Sequence, residues 1–152
     1  KVSGMGSTRA KGWEMSGGSG QGGVLDASAL LALVYDEAGA DRVEPVLRRG
    51  ALISTVNWAE ALSRLVEHGD AVESGVHRLK AQVDAIGMLT ICPYDEDQAA
   101  ETARLRTRTK SLGLSLADRA CLALGRLHRL PVLTTDRAWR SLGLSIRIEV
   151  IR

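Results

Sequence analysis

Residues 112–139 have the sequence LGLSLADRACLALGRLHRLPVLTTDRAW, and this stretch decides the class of fold. It predicts a helix over about 115–129 and, after Pro131, a short strand at 132–134. Asp136 follows closely on the end of that strand. A helix that leads back to a strand, with a polar residue near the strand's carboxyl end, is typical of α/β proteins, in which ligands bind beyond the carboxyl ends of the strands.

The same alternation extends outward through the chain from residue 24. Further strands are predicted at 24–25, 51–54, 88–92 and 146–151. Further helices are predicted at 27–38, 40–49, 55–68, 71–86 and 95–109. Strands that are separated by helices indicate a mostly parallel sheet with helices on both faces and right-handed crossovers.

The composition indicates one domain of ordinary size. The chain has 152 residues, of which 45% are hydrophobic, and its 20 Lys and Arg nearly balance its 18 Asp and Glu, which excludes a disordered acidic or basic chain. No apolar run approaches the ~18–20 residues of a membrane span, and we find no signal peptide, so no membrane partner is expected. Cys92 and Cys121 are too few for a disulfide framework or a zinc cluster, and a reducing cytoplasm fits best.

The first 23 residues differ in composition from the rest of the chain. They hold eight of the 16 Gly residues, and their three cations and one acid account for the whole formal net charge of +2, so residues 24–152 are neutral. Segment 16–23 has the composition of a flexible linker. Because the chain starts at Lys1 and not at Met, we interpret 1–15 as an engineered or processed extension and expect the folded domain to span 24–152.

Four acidic residues are candidates for a single site. Asp26 and Asp136 follow the first and fourth predicted strands, and Glu60 and Asp118 lie on helices where they can face the same edge of the sheet. Carboxylates that converge in this way repel each other unless a cation neutralises them. Hard oxygen ligands without Cys or His suit Mg²⁺ or Mn²⁺, and such a site supports metal-assisted attack of water on a phosphodiester.

Each of these acids also has a purely structural explanation. Asp26 and Asp136 can cap the helices that follow them, and Asp118 can form a capping box with Ser115. Glu60 can pair with a basic residue one helical turn further on. No competing nucleophilic site is evident, because the three His residues are scattered on helices and no Ser–His–Asp or Cys–His arrangement occurs.

A basic stretch surrounds one of the acids. Between residues 104 and 129, Asp118 is the only acid among seven basic residues, of which Arg108 and Arg119 are our candidates for substrate binding. This local excess favours contact with phosphate, although a solvated helix face is the alternative. The chain has 3 Trp, 2 Tyr and no Phe, so we expect no stacking platform for single strands, and recognition of a nucleic acid would depend on its shape and backbone.

These motifs resemble a known family. They are VLDASALLAL at 24–33, STVNWAEAL at 54–62, the stretch 112–139 quoted above, and LGLSIRIEVIR at 142–152. From residue 24 onward the chain resembles the PIN-domain ribonucleases, and in particular the VapC-type toxins of bacterial type II toxin–antitoxin systems. The resemblance implies a three-layer α/β fold with a mostly parallel five-stranded sheet, and an Mg²⁺- or Mn²⁺-dependent endoribonuclease that cleaves structured RNA, either tRNA or rRNA.

The resemblance also implies roles and partners. Asp26, Glu60 and Asp118 match the family's three main acids and Asp136 the fourth, with Asp26 and Asp118 as direct metal ligands and the other two acting through water. Polar neighbours that steady a carboxylate or a water are matched by Ser28 and Thr135. The implied partners are a cognate antitoxin and a second copy of the chain in a homodimer.

Residues 3–15, SGMGSTRAKGWEM, resemble the C-terminal tail of an antitoxin from the same systems. Our hypothesis is a designed fusion in which the linker tethers this tail to the domain. Arg9 or Lys11 would then enter the acidic site in place of a metal, and Trp13 would pack in an apolar groove. A vector-derived tag is the alternative.

Two other functions stay open. The chain can be a catalytically silent PIN-like module that binds RNA or a partner, in which case the acids are structural. A phosphoryl-transfer domain of the haloacid-dehalogenase or response-regulator type also has an Asp after its first strand, but the sequence Asp26-Ala27-Ser28 lacks the second Asp of such sites.

Overall fold

The computed structural model describes residues 22–152, which form an α/β fold. The strands are β1 (Gly23–Leu25), β2 (Ala51–Ser54), β3 (Leu89–Cys92), β4 (Val132–Thr134) and β5 (Ile148–Val150). The helices are α1 (Ala27–Val34), α2 (Ala40–Arg48), α3 (Thr55–Glu67), α4 (Val72–Asp84), α5 (Glu96–Thr109) and α6 (Leu116–His128). Short 3₁₀ helices follow α5 at Lys110–Leu112 and β4 at Arg137–Ser141.

The predicted fold class is confirmed. The five strands form one sheet in the order β3-β2-β1-β4-β5, and each neighbouring pair is parallel. The first strand therefore lies at the centre, with β2 on one side and β4 on the other. When strands are added on opposite sides of a central strand, a crevice forms at the carboxyl ends of the strands. This crevice is the usual place for a ligand.

The core has two parts, one on each face of the sheet. Successive residues of a strand point to opposite faces, and in β1 Val24 packs in one hydrophobic cluster and Leu25 in the other. Val132 and Leu133 of β4 divide between the same two clusters. The result is the predicted arrangement of three layers. Trp139 is fully buried in this core, and both cysteines are free and buried.

The first helix is shorter than the sequence predicts. The apolar pattern predicts a helix to residue 38, but α1 ends at Val34. Asp36 then adopts a left-handed conformation with φ of 51°, and Gly39 has φ of 98° before α2 begins. A side chain at position 39 would come within 2.8 Å of Ile151, so this turn requires Gly.

The folded domain begins earlier than residue 24. Gly23 is the first residue of β1, and the buried Gly22 donates a backbone hydrogen bond to the carbonyl of Gly50 at 3.1 Å. A Cβ atom on Gly22 would overlap the carbonyl oxygen of Val46. The last two glycines of the predicted linker 16–23 are thus part of the packed domain.

The tail hypothesis for residues 1–15, with Arg9, Lys11 and Trp13, falls outside the described residues. Between residues 22 and 152, no helix has the length and apolar character that crossing a membrane requires.

Candidate active site

A cavity of about 660 Å³ lies where β1 and β4 end. Its lining includes all four acids that the sequence singles out, Asp26, Glu60, Asp118 and Asp136. Two of them follow neighbouring strands of the sheet and two come from α3 and α6. The cavity therefore gathers carboxyl groups from four separate segments of the chain.

The side chain of Asp26 is buried and accepts three hydrogen bonds. Its Oδ1 accepts one from the backbone N–H of Ala29 and one from the hydroxyl of Ser28, each at 2.7 Å. Its Oδ2 accepts a hydrogen bond from the hydroxyl of Thr134 at 2.5 Å. The bond from Ala29 makes Asp26 the N-cap of α1, as its position predicts, so one side chain both starts a helix and faces the cavity.

The two hydroxyl groups that hold Asp26 also hold the chain after β4. The Ser28 hydroxyl accepts a hydrogen bond from the backbone N–H of Thr135 at 3.0 Å, and the Thr134 hydroxyl accepts one from the N–H of Asp136 at 3.0 Å. Each oxygen of the Asp26 carboxylate is thus linked through a hydroxyl to one of the two residues that follow the strand. This network fixes Asp136 relative to Asp26.

Thr134 is a site residue that the sequence analysis missed. Thr135 was predicted to steady a carboxylate or a water, and it does line the cavity, but its contact with Ser28 is made by its backbone N–H. Of the two threonines, Thr134 is the one whose hydroxyl binds Asp26. Leu25 and Leu133 are register partners in the parallel pair of β1 and β4, so Asp26 and Thr134, the next residues, lie side by side.

Burial raises the pKa of Asp26 to about 6, from an ordinary value of 3.8. Removal of the carboxylate from water is the largest cause. The hydrogen bonds from Thr134, Ser28 and the Ala29 backbone oppose this rise because they stabilise the charged form, and the negative charge of Asp118 adds to it. A bound cation would favour the ionised carboxylate and would therefore lower the pKa of Asp26.

Glu60 on α3 and Asp118 on α6 interact electrostatically across two packed helices. The pKa of Glu60 is raised, first by burial and then by the charge of Asp118, while the charge of Arg64 and the amide of Asn57 lower it. The Asn57 amide also donates to the backbone carbonyl of Ala117 at 3.1 Å. Asn57 therefore ties α3 to the first turn of α6, which carries Asp118.

Asp118 and Asp136 have the predicted capping roles in addition to their places in the cavity. The carboxylate of Asp118 accepts from the backbone N–H of Ser115 at 2.8 Å, and the Ser115 hydroxyl accepts from the N–H of Asp118 at 3.1 Å, which completes a capping box. Asp136 accepts from the backbone N–H of Ala138 at 2.9 Å and caps the 3₁₀ helix after β4. The structural and the functional explanations of these acids are compatible.

The basic stretch at 104–129 lies elsewhere. In the described part of the chain, its only contribution to the cavity lining is Asp118. Arg104 and Arg126 both form ion pairs with the buried Glu101, at 3.0 and 3.1 Å. Arg119 donates to the carbonyl of Thr102 at 3.3 Å. Arg108 is exposed on α5, so the structure does not bring either predicted substrate-binding residue to the cavity.

Other cavity residues were not predicted. The lining also contains Tyr35, Glu37, Arg64, His68 and Arg152. Arg64 on α3 and His68, the C-cap of that helix, follow Glu60 at intervals of four residues, so helical periodicity places them on one face with it. That spacing was the signal in the sequence. No sequence pattern predicts Arg152, because only the fold brings it to the cavity. Its guanidinium pairs with the carboxylate of Glu37 at 2.6 Å.

The donor set fits a hard cation that keeps much of its water. Among residues 22–152, no group of three or more His, Cys, Asp or Glu is close enough to enclose a metal ion. Mg²⁺ needs no such cage, because it commonly binds through one or two carboxylates, waters and substrate phosphate oxygens. The Oδ1 atom of Asp26 already accepts two hydrogen bonds and Oδ2 accepts one, so Oδ2 keeps a lone pair.

The comparison with known proteins gives the family. The PIN domain model matches residues 23–143. The chain belongs to the PIN domain family. No curated protein sequence matches this PIN domain.

Solved structures of VapC toxins from VapBC toxin–antitoxin systems share its fold. VapBC-5 from Mycobacterium tuberculosis has a TM-score of 0.51 and 26% identity, over 86% of this chain and 97% of that one. VapBC2 from Rickettsia felis, bound to a promoter DNA fragment, has a TM-score of 0.63 and 15% identity, over 83% and 96%. VapC20 from M. tuberculosis, described as a sarcin-ricin loop cleaving toxin, has a TM-score of 0.62 and 15% identity, over 82% and 98%.

Proposed function

We propose that this PIN domain is a metal-dependent endoribonuclease toxin that cleaves structured RNA, either tRNA or rRNA, by hydrolysis of a phosphodiester. The observation that carries the proposal is the cavity at the carboxyl edge of the sheet, where Asp26, Glu60, Asp118 and Asp136 meet. Asp26 is buried and Glu60 is partly buried, and burial together with the charge of Asp118 raises the pKa of both, which is typical of acids in a catalytic site.

We assign a task in the hydrolysis to each of the four acids. Mg²⁺ or Mn²⁺ would lower the pKa of a bound water and screen the charge that develops on the phosphate. The free lone pair of Asp26 Oδ2 and the carboxylate of Asp118 are the proposed ligands. Glu60 is only partly buried, and its raised pKa makes it a better proton acceptor than an ordinary glutamate, so it is our candidate to take a proton from the attacking water. Asp136 is exposed and can orient that water.

The partners are proposed from the solved relatives. Several of them were crystallised as toxin–antitoxin complexes, including one from Klebsiella pneumoniae with a TM-score of 0.60 and 21% identity over 80% of this chain and 92% of that one. VapC20 is described as a toxin that cleaves the sarcin-ricin loop. By analogy we propose a cognate antitoxin and an RNA substrate for this chain, and from the family resemblance of its sequence we propose a homodimer.

Incubation of the purified chain with tRNA and with ribosomal RNA tests the ribonuclease, with Mg²⁺, Mn²⁺ or EDTA in parallel reactions. We expect cleavage only with the metals and loss of cleavage in Asp26→Asn and in Asp118→Asn. Asp97→Asn is the matched control, because Asp97 is an exposed acid on α5 outside the cavity. If both cavity variants cut RNA as fast as the parent, the assigned site is wrong.

A catalytically silent module is the second candidate. One observation favours it, namely that Asp26 and Asp136 cap the helices that follow them and Asp118 completes the capping box of α6, so these three acids have structural roles. Such a module would bind RNA or a protein partner and would give no cleavage product at any Mn²⁺ concentration. Substitution of the acids would then change binding or stability alone.

A further inference from the structure

The cavity that holds the four acids also has a basic and aromatic part. Arg64 lies on α3 one turn beyond Glu60, His68 caps the C-terminal end of the same helix, and Tyr35 caps the C-terminal end of α1. Apart from the effect of the Arg64 charge on the pKa of Glu60, none of these side chains has a role in the proposed hydrolysis. Their chemistry differs from that of the acids and matches two parts of a nucleotide, the phosphate and the base.

The aromatic group is a pair of rings at the cavity wall. The ring centroids of Tyr35 and His68 are 5.7 Å apart and the ring planes are tilted by 44°. The imidazole of His68 is held by a hydrogen bond of 2.7 Å between its Nδ1 and the carbonyl oxygen of Arg64. Tyr35 is 37% exposed, so its ring offers a surface on which a planar base can stack.

Two arginines line the cavity, and their charges are not equally available. The guanidinium of Arg152 is 2.6 Å from the carboxylate of Glu37. Arg64 is exposed and has no ion pair within 4.0 Å among residues 22–152. A phosphate that approaches four carboxylates needs a cation nearby, and Arg64 is one helical turn from Glu60.

We propose that Tyr35, Arg64 and His68 form a subsite for the nucleotide that adjoins the scissile phosphate of an RNA substrate. Arg64 contacts the backbone phosphate, and the base stacks on the rings of Tyr35 and His68. The volume of the cavity, about 660 Å³, lies in the range of ligand pockets of about 300–1,000 Å³. This subsite rests on the proposed ribonuclease function and adds the residues that hold its substrate.

Binding of two short probes to the full chain tests the subsite. The first probe is a fluorescein-labelled hexaadenylate, and the second is a labelled oligomer of the same length with abasic riboses. Fluorescence anisotropy is measured with Ca²⁺ in place of Mg²⁺, and a gel confirms that the probes stay intact. Titrations at several salt concentrations give the dependence of affinity on salt.

The variants separate stacking from charge. We expect Tyr35→Leu to weaken hexaadenylate binding by about fivefold or more and to leave the abasic probe unchanged, whereas Tyr35→Phe binds like the parent. Arg64→Gln should weaken both probes and flatten the slope of log affinity against log salt by about 0.7. Arg108→Gln, on α5 away from the cavity, should leave the slope unchanged.

Several outcomes would overturn the subsite: a parent chain that binds neither probe, equal effects of Tyr35→Leu on both probes, or identical slopes for Arg64→Gln and Arg108→Gln. Thermal unfolding of each variant shows whether it is folded. A parallel assay of tRNA cleavage with Mn²⁺ keeps the two proposals apart. If the parent cuts tRNA but the variants bind normally, the subsite fails alone; if the variants lose binding as expected but no chain cuts RNA, the ribonuclease fails alone.

Discussion

The hydroxyl of Thr134 donates a hydrogen bond of 2.5 Å to the carboxylate of Asp26, although 108 residues separate the two in the chain. The same hydroxyl accepts the backbone N–H of Asp136. One side chain therefore orients a buried acid at the end of β1 and fixes the turn after β4. Asp26 and Asp136 owe their relative positions to this contact and to the equivalent one through Ser28.

Thr134→Val is expected to destabilise the protein by about 2 kcal/mol, because it removes a hydrogen bond to a buried carboxylate and leaves the N–H of Asp136 without its acceptor. It should also raise the pKa of Asp26 further, since the Thr134 bond lowers it. Urea denaturation measures the stability. Thr135→Val is the control and should be near neutral, because its recorded contact is made by the backbone. Equal destabilisation by both substitutions would contradict this role of Thr134.

Asp26→Asn is expected to change how stability depends on pH. The folded-state pKa of Asp26 is about 6 against an ordinary 3.8, so the folded chain binds the proton more tightly than the unfolded chain does. The contribution of Asp26 to stability is therefore full below about pH 4, falls as the pH rises to about 6 and stays low above it. A neutral Asn avoids this loss, so relative to the parent the variant should gain up to about 3 kcal/mol between pH 4 and pH 7.5.

The measurement is the free energy of unfolding of both proteins at the two pH values. Asp97→Asn serves as control, and its difference from the parent should not change with pH in this way. If the stability of Asp26→Asn relative to the parent is constant, or falls with rising pH, the pKa of Asp26 is not raised in the folded protein.

Asn57→Leu is expected to cost about 1–3 kcal/mol, because the carbonyl of Ala117 loses its partner at a buried contact between α3 and α6. RNA cleavage should fall further than stability accounts for, since this contact positions Glu60 relative to Asp118. Thermal unfolding and cleavage rates below the melting range measure the two effects. Ser63→Ala, an exposed site on the same helix, should match the parent. Full activity in Asn57→Leu would exclude a positioning role.

Gly22→Ala is expected to destabilise the domain by about 1–3 kcal/mol, because the new Cβ atom overlaps the backbone carbonyl of Val46 and nearby backbone cannot shift freely. Gly18→Ala, inside the predicted linker, should be neutral. Chemical denaturation compares the two. Equal stability of Gly22→Ala and the parent would contradict the packing of residue 22 in the domain.

Much of the architecture was predictable because local patterns control it. Apolar runs bounded by Gly and Pro predicted the strands, and helical spacing predicted α2, α3 and α6 within one or two residues. The error at α1 has a local cause, since residues 35–38 are compatible with a helix and only the left-handed turn at Asp36 stops it. Convergence of the acids also followed from the sequence, because parallel strands end at one edge of a sheet.

The misplaced basic stretch shows where local patterns fail. A run of Arg residues indicates an excess of charge but does not say which helix face will be covered by another helix. Packing of α5 against α6 brings Glu101 between Arg104 and Arg126, so two of the seven cations pair with an acid away from the cavity. The cations of the cavity come instead from α3 and from the end of the chain.

The sequence by itself determined the family, the α/β class and the four acids of the candidate site, because these depend on residue types and short spacings. Tertiary structure alone decided which polar residues surround those acids. Thr134 and not Thr135 binds Asp26 because β1 and β4 pair in a register that sets Leu25 beside Leu133. A register depends on contacts between strands more than a hundred residues apart, which no local pattern encodes.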